Sequence, residues 1–381
     1  MKDWLGQGQN WAHLSHLTTC LWLVSALIQT GEVNLTKWAK YIPCRGQYAQ
    51  SRQRRIRRWL GNPRINVHRL YKPVIQSALA DWEDPCVYVS LDTTQFWDEY
   101  CLIRLAVVHR GRALPLAWRV LEHSSASVAF SEYQEVLIHA ARYLPKGVKV
   151  ILLADRGVVH TEAMSAVRRL GWHYRIRLKG NTWLWRSTRG WIQPNALHLA
   201  RGEVLCFHNV KLHKKQWYGP VHLICGRNNL NGELWVVVSD EPTTIQTFRE
   251  YGLRFDIEEL FKDEQSSGWN LHKPEIRSVC DLSRLCFILA LATLYVTAQG
   301  VAVVEQGKRR WVDTHWFRGN SYFRIGLDWI RAALLDGWQL IKHVLFISNK
   351  DPQPAMASRR QHEKHLYRLE FRAFTTHFEP D

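Results

Sequence analysis

The chain is short of acid. It has 34 aspartates and glutamates against 51 lysines and arginines, a formal net charge of +17 at pH 7. That deficit favours a polyanion as partner, nucleic acid first, with a soluble basic surface as the bland alternative. Cysteine pairs are missing too. The eight cysteines stand at 20, 44, 86, 101, 206, 225, 280 and 286, with no C-x-x-C pair and no tight histidine cluster beside them. Neither a zinc site nor a disulfide framework is indicated, and reduced cysteines in the cytoplasm fit best. The opening MKDWLGQGQNWAHLSHL lacks the basic start and continuous apolar run of a signal peptide. There is no repeat of fixed period and no low-complexity linker.

What is present suggests two or three domains in 381 residues, with an ordinary hydrophobic content of 46%. Long uncharged runs are scarce. CFILALATLYVTAQGVAVV, Cys286 to Val304, has 19 residues without charge, enough to cross a bilayer by count. It also holds Thr293, Thr297, Gln299 and Gly300, so a buried helix in a large core is expected and no membrane partner. Most of the 19 tryptophans should be core, with some able to stack on bases.

Residues 1–80 read as a helical, DNA-binding domain. SRQRRIRRWLGNPRINVHR, Ser51 to Arg69, carries seven arginines and no acid. Gly61-Asn62-Pro63 stops a helix bearing Arg54, Arg55, Arg57 and Arg58. A solvated face would mix signs, so these four are candidate phosphate contacts. Arginine runs also occur in nuclear signals and tails.

From Cys86 the texture is that of a sheet. CVYVSLDTT, CLIRLAVVHRG and RALPLAWRVL predict an antiparallel meander, with the first strand ending at Asp92. The helix SEYQEVLIHAARYL, the strand VKVILLADRG closing on Asp155, the helix TEAMSAVRRLG and the strand WHYRIRLKG follow. The expected class is α/β, a mixed sheet with helices packed on it. Residues 81–180 form the first part of this core, 181–245 a β-rich insertion, and 246–305 its second part. Residues 306–381 are expected to be a helical C-terminal region with a polar tail from about Asp351.

Asp92 and Asp155 each end an apolar strand, where ligands of α/β sheets gather. Either alone could be a turn residue or helix cap. A third acid stands in YGLRFDIEELFKDEQSSGW, Tyr251 to Trp269. Read as one helix, Leu253, Ile257, Leu260 and Phe261 form its core stripe. Tyr251, Arg254, Glu258, Lys262 and Gln265 form a stripe beside it, and Asp256, Glu259 and Asp263 face solvent. A salt-bridge ladder is the plain alternative for Glu258. Together, Asp92, Asp155 and Glu258 offer hard oxygen ligands suited to Mg²⁺. Two such ions about 3.5–4 Å apart activate a water or 3′-hydroxyl and stabilise the leaving oxygen. Arg254 and Lys262 would add charge near the scissile phosphate. The three carboxylates are expected to converge within metal-bridging distance.

SLDTT, LLADRG and YGLRFDIEELFK, with WHYRIRLKGN, resemble the DDE transposases of bacterial insertion sequences, in the group marked by Tyr-x2-Arg-x3-Glu-x6-Lys. The resemblance covers most of the chain. It implies a ribonuclease H-like catalytic domain with Asp92, Asp155 and Glu258 as the metal-binding catalytic triad. Two Mg²⁺ ions would serve it, with Mn²⁺ able to substitute. Tyr251 and Arg254 would be the first two signature residues, among the DNA contacts. The signature lysine falls at Gln265, with Lys262 one turn earlier. Trp235 stands where some relatives stack a tryptophan on a flipped base, although a core tryptophan on a strand is the favoured reading of ELWVVVSDEP.

The resemblance implies cut-and-paste transposition of a bacterial element, by a homodimer on double-stranded DNA at the nucleoid. The terminal inverted repeats and a target would be its substrates. A ribonuclease H-like nuclease that cuts without joining and a non-catalytic DNA-binding descendant of a transposase are the other readings.

Overall fold

The computed structural model describes residues 1–352 except 7–10, 44, 45, 47, 159, 160, 188, 189, 216, 230, 266, 267 and 272–275, plus the backbone of 373–374. Five helices come first: α1 Lys2–Gly6, α2 Leu14–Thr30, α3 Leu35–Trp38, α4 Ala49–Leu60 and α5 Val67–Ala78. Then follow β1 Cys86–Phe96, β2 Tyr100–His109, β3 Arg112–Glu122, α6 Phe130–Tyr143, β4 Lys149–Ala154, α7 Thr161–Arg169 and β5 His173–Arg177. Five more strands are β6 Leu184–Arg186, β7 Gly190–Ile192, β8 Glu203–Leu212, β9 Tyr218–Arg227 and β10 Leu234–Ser239. The helices α8 Ile245–Gly252, α9 Asp256–Gln265, α10 Val279–Glu305 and α11 Tyr322–Asp336 complete the main elements.

The first five strands lie in the order β3-β2-β1-β4-β5. β1 runs antiparallel to β2, which runs antiparallel to β3, while β4 is parallel to both β1 and β5. This is a ribonuclease H-like mixed sheet with flanking helices. The β-rich stretch continues it, because β10 pairs antiparallel with β5 and leads on through β9, β8, β6 and β7. Pro115, which lacks a backbone donor, sits on edge strand β3 beside a register shift.

Strand alternation divides the sheet's two faces. Val87, Val89, Leu91, Leu152 and Ala154 join the large core, together with residues of α2, α4, α5, α6, α10 and α11. On the other face Tyr88, Ile151 and Leu153 pack near Leu253, and Ala106 and Ala113 pack against Ile257, Leu260 and Phe261 of α9.

The uncharged run lies inside α10, which is long and apolar enough to cross a membrane but is 94% buried over its most apolar window. Its polar groups find partners. Thr293 accepts from Trp269 Nε1 at 3.0 Å, and Gln299 Oε1 accepts from the Ile341 amide at 2.9 Å. Gly300 lets α11 approach closely: a Cβ there would stand 1.9 Å from the Tyr322 carbonyl oxygen. Beyond α10, the expected helical region reduces to α11 and two short 3₁₀ turns, Arg309–Trp311 and Trp316–Arg318. Residues 337–352 contain no helix. The expected polar tail lies outside the described residues apart from its first two positions and the strand pair Ala373–Phe374.

Candidate active site

β1 does not stop at Asp92. It continues to Phe96 as one arm of the hairpin with β2, where Asp92 lies opposite Arg104. The parallel pairing with β4 does end there, its last pair being Leu91 with Ala154. Asp92 and Asp155 are therefore the next residues on adjacent parallel strands. Both share the parity of the face that receives α8 and α9.

The segment over that face is not one helix. α8 gives way at Leu253–Phe255 to a 3₁₀ turn, and α9 starts at Asp256. The segment still keeps step with β1. Tyr88 donates to Glu250 Oε1 at 3.4 Å and Ser90 Oγ donates to the Arg254 carbonyl at 3.2 Å. Arg254 Nη1 then donates to Asp92 Oδ2 at 3.0 Å. Two residues of strand cover ~6.6 Å and four of helix ~6 Å, so the two ladders run nearly in register. The same guanidinium donates through Nη2 to Glu258 Oε1 at 2.7 Å.

Asp92 Oδ1 accepts from the Thr93 amide at 2.8 Å, and Asp155 Oδ1 from the Arg156 amide at 2.7 Å. Burial raises Asp92 above the usual carboxylate range, and the charges of Asp155 and Glu258 add to it, while Arg254 and the Thr93 N–H oppose them. Asp92 thus feels both of the other acids electrostatically. It is joined to Glu258 through Arg254, whose guanidinium spans the two carboxylates.

Several other expectations change. Arg254 is 7% exposed and serves carboxylates, so it presents little surface to DNA. Lys262 lies one turn beyond Glu258 on α9, but it is 58% exposed and pairs with Glu259 at 2.6 Å. Tyr251 and Trp235 are buried against each other, centroids 5.6 Å apart, and Arg177 lies 4.6 Å over the Trp235 ring. Trp235 is thus a core tryptophan, with no free face for a base. Gln265 Nε2 donates to Thr94 Oγ1 at 2.8 Å, which ties the end of α9 to β1.

Asp256, Glu259 and Asp263 do not form a solvent face, because α9 lies across β1, β2 and β3. Arg112 of β3 holds Glu259 at 2.9 Å and Asp263 at 3.3 Å. Burial pushes the Asp256 carboxyl up to about 7. Beneath the helix Arg104 and Glu264 form a fully buried ion pair at 3.0 Å. Sequence reasoning missed that pair, although a lone arginine in the apolar strand CLIRLAVV was a signal.

On α4, Arg54, Arg57 and Arg58 are exposed and, among the described residues, meet no acid. Arg55 differs: it donates to Thr19 Oγ1 at 3.3 and 3.2 Å and lies 4.7 Å over Trp22. Arg284 of α10 donates to the Leu60 carbonyl at 2.6 Å and caps the end of α4.

The donor set passes the chemical test for a divalent cation. It is all carboxylate, partly buried and self-repelling, with one guanidinium as its present positive charge. A profile of the family described as transposase DDE domain matches residues 95–295, just over half of the chain, and the chain belongs to that family. Members generally use divalent metal ions. Asp155 and Glu258 fall inside the match, and Asp92 lies three residues before it. Comparison with curated proteins finds no match. Among solved structures, the chain is similar to one described as a cryo-EM structure of the piggyBac transposase synaptic complex with hairpin DNA. The TM-score is 0.43 and identity 8%, over 93% of this chain and 70% of that one.

Proposed function

We propose that the chain is a cut-and-paste transposase of a bacterial insertion sequence, acting as a homodimer on double-stranded DNA at the nucleoid. It would recognise terminal inverted repeats through the N-terminal helices. It would then cut and join strands at Asp92, Asp155 and Glu258. The observation that supports this most is the sharing of one guanidinium by Asp92 and Glu258 at the end of the β1–β4 strand pair.

Asp92, Asp155 and Glu258 would hold Mg²⁺, two ions with Mn²⁺ as a substitute. Bound there, the ions supply activation of the attacking oxygen and stabilisation of the leaving one. Arg254 orients Asp92 and Glu258 by donating to one oxygen of each. On the strand side the Thr93 amide donates to Asp92 Oδ1 and the Arg156 amide to Asp155 Oδ1. Lys262 and the exposed arginines of α4 neutralise phosphates without reading sequence.

The test is a reaction with DNA carrying the gene's own flanking sequences, a target plasmid and Mg²⁺. Cleavage at the repeat ends with joining to the target supports the transposase. Cleavage without joining would indicate a nuclease, and binding without cleavage a DNA-binding descendant.

A further inference from the structure

A second cluster of ligating side chains lies away from the three carboxylates. His68 is in the first turn of α5, and Glu135 and His139 lie one turn apart on α6. One ligand atom of each falls within 4.8 Å of the other two. The rings of His68 and His139 stack with centroids 4.0 Å apart and planes 16° apart. Nδ1 of each ring is buried and, among the described residues, has no hydrogen-bond partner. Aromatic packing accounts for the rings, since Trp118 lies 5.9 Å from His68 and Tyr143 6.1 Å from His139. It does not account for two neighbouring unpaired nitrogens, each costly to bury.

We propose that His68, Glu135 and His139 bind a transition-metal ion of the zinc class and so pin α5 to α6. Two imidazoles and one carboxylate make a borderline-soft set that suits Zn²⁺ better than Mg²⁺, with water completing the shell. Glu135 and His139 are at i and i+4 and project from one face of α6. Coordination requires the imidazoles to turn from their parallel stack so that their lone pairs converge. Glu135 pairs with Arg119 at 2.9 Å in a half-exposed ion pair. Such pairs are weak, and Arg119 keeps Glu132 at 3.2 Å when Glu135 leaves. Burial, with His139 beside it, holds His68 down to about 4, and burial also lowers His139. Both rings are therefore neutral at pH 7, the ligating form.

The cysteines offer no such framework, and His68 is too far along the chain from Glu135 and His139 for spacing to reveal the site. An ion here would join the helices that precede the sheet to the helix lying on β2 and β3. It would also differ from the carboxylate centre in the metals it prefers.

The experiment uses tag-free full-length protein, with Zn²⁺ and Co²⁺ titrated into wild type, Asp155→Ala, His139→Gln and Glu135→Gln. Wild type and Asp155→Ala are expected to bind one equivalent of Zn²⁺ and to gain thermal stability from it. Their Co²⁺ forms should show the intense visible d–d bands of a four-coordinate site. His139→Gln should lose all three signals. Glu135→Gln changes an exposed side chain that folding does not need, and should bind roughly tenfold or more weakly. No Zn²⁺ binding by wild type, or equal binding by His139→Gln and Glu135→Gln, would overturn the proposal. So would binding lost only in Asp155→Ala, which would assign the ion to the carboxylate centre.

Discussion

Arg254 reaches Asp92 at 3.0 Å and, with the other arm of the same guanidinium, Glu258 at 2.7 Å. A strand carboxylate and a helix carboxylate are thereby held by one buried cation. Arg254→Met would leave the two acids facing each other. The variant should lose about 1–3 kcal/mol of stability in metal-free buffer, the loss being moderated by the partial exposure of both acids. Mg²⁺ should then raise its melting temperature more than that of wild type. An equal Mg²⁺ effect in the two proteins would count against Arg254 as the charge that balances this site.

The arginines of α4 divide into two kinds. Removing Arg54, Arg57 and Arg58 should weaken DNA binding alike on all sequences. The slope of log affinity against log salt should fall by about 0.9 for each phosphate that is no longer neutralised. Arg55→Ala should instead lower the melting temperature, because its side chain is held by Thr19 and Trp22. Binding isotherms at several salt concentrations, beside thermal melts, separate the two. An unchanged slope in the triple variant would remove α4 from the DNA interface.

Under α9, Arg104 and Glu264 are each about 1% exposed or less. Glu264→Met should cost about 3–5 kcal/mol, because it strands a buried guanidinium. Arg104→Met with Glu264→Met should cost markedly less than the two single losses added together. Urea unfolding of the four proteins measures this coupling, and additive losses would contradict it.

Burial, helped by Arg110, holds His109 down to about 3. A depressed folded value means the group's stabilising contribution is complete above its unfolded value near 6.5 and is lost as pH falls toward 3. Wild type should therefore lose stability faster than His109→Gln on acidification, by up to about 1.4 kcal/mol per pH unit. Unfolding free energies measured at a series of pH values from neutral to acid give the comparison. Parallel curves would show that His109 carries no such linkage.

The sheet, and the placing of Asp92 and Asp155 side by side on one of its faces, were legible because each depends on a local pattern. Asp92 and Asp155 follow apolar strands of known parity, and Glu258 borders an apolar stripe. The role of Arg254 was not legible. A 3₁₀ turn at Leu253–Phe255 breaks the helical phase between Tyr251 and α9, and no wheel shows that Arg112 of β3 reaches the acids on the far side of α9. Trp235 was readable either as stacking surface or as core, and only its packing on Tyr251 decides between them. Gln265 shows a similar limit: its bond to Thr94 depends on how α9 crosses β1.

The central claim is that Asp92, Asp155 and Glu258 act as one metal-dependent centre on DNA. The direct measurement is cleavage of repeat-end DNA with Mg²⁺ by wild type, Asp92→Asn, Asp155→Asn and Glu258→Gln, with DNA affinity measured alongside. Wild type should cut, and each variant should lose at least about a thousandfold in rate while binding DNA as tightly. Undiminished cleavage by any one variant would contradict the claim.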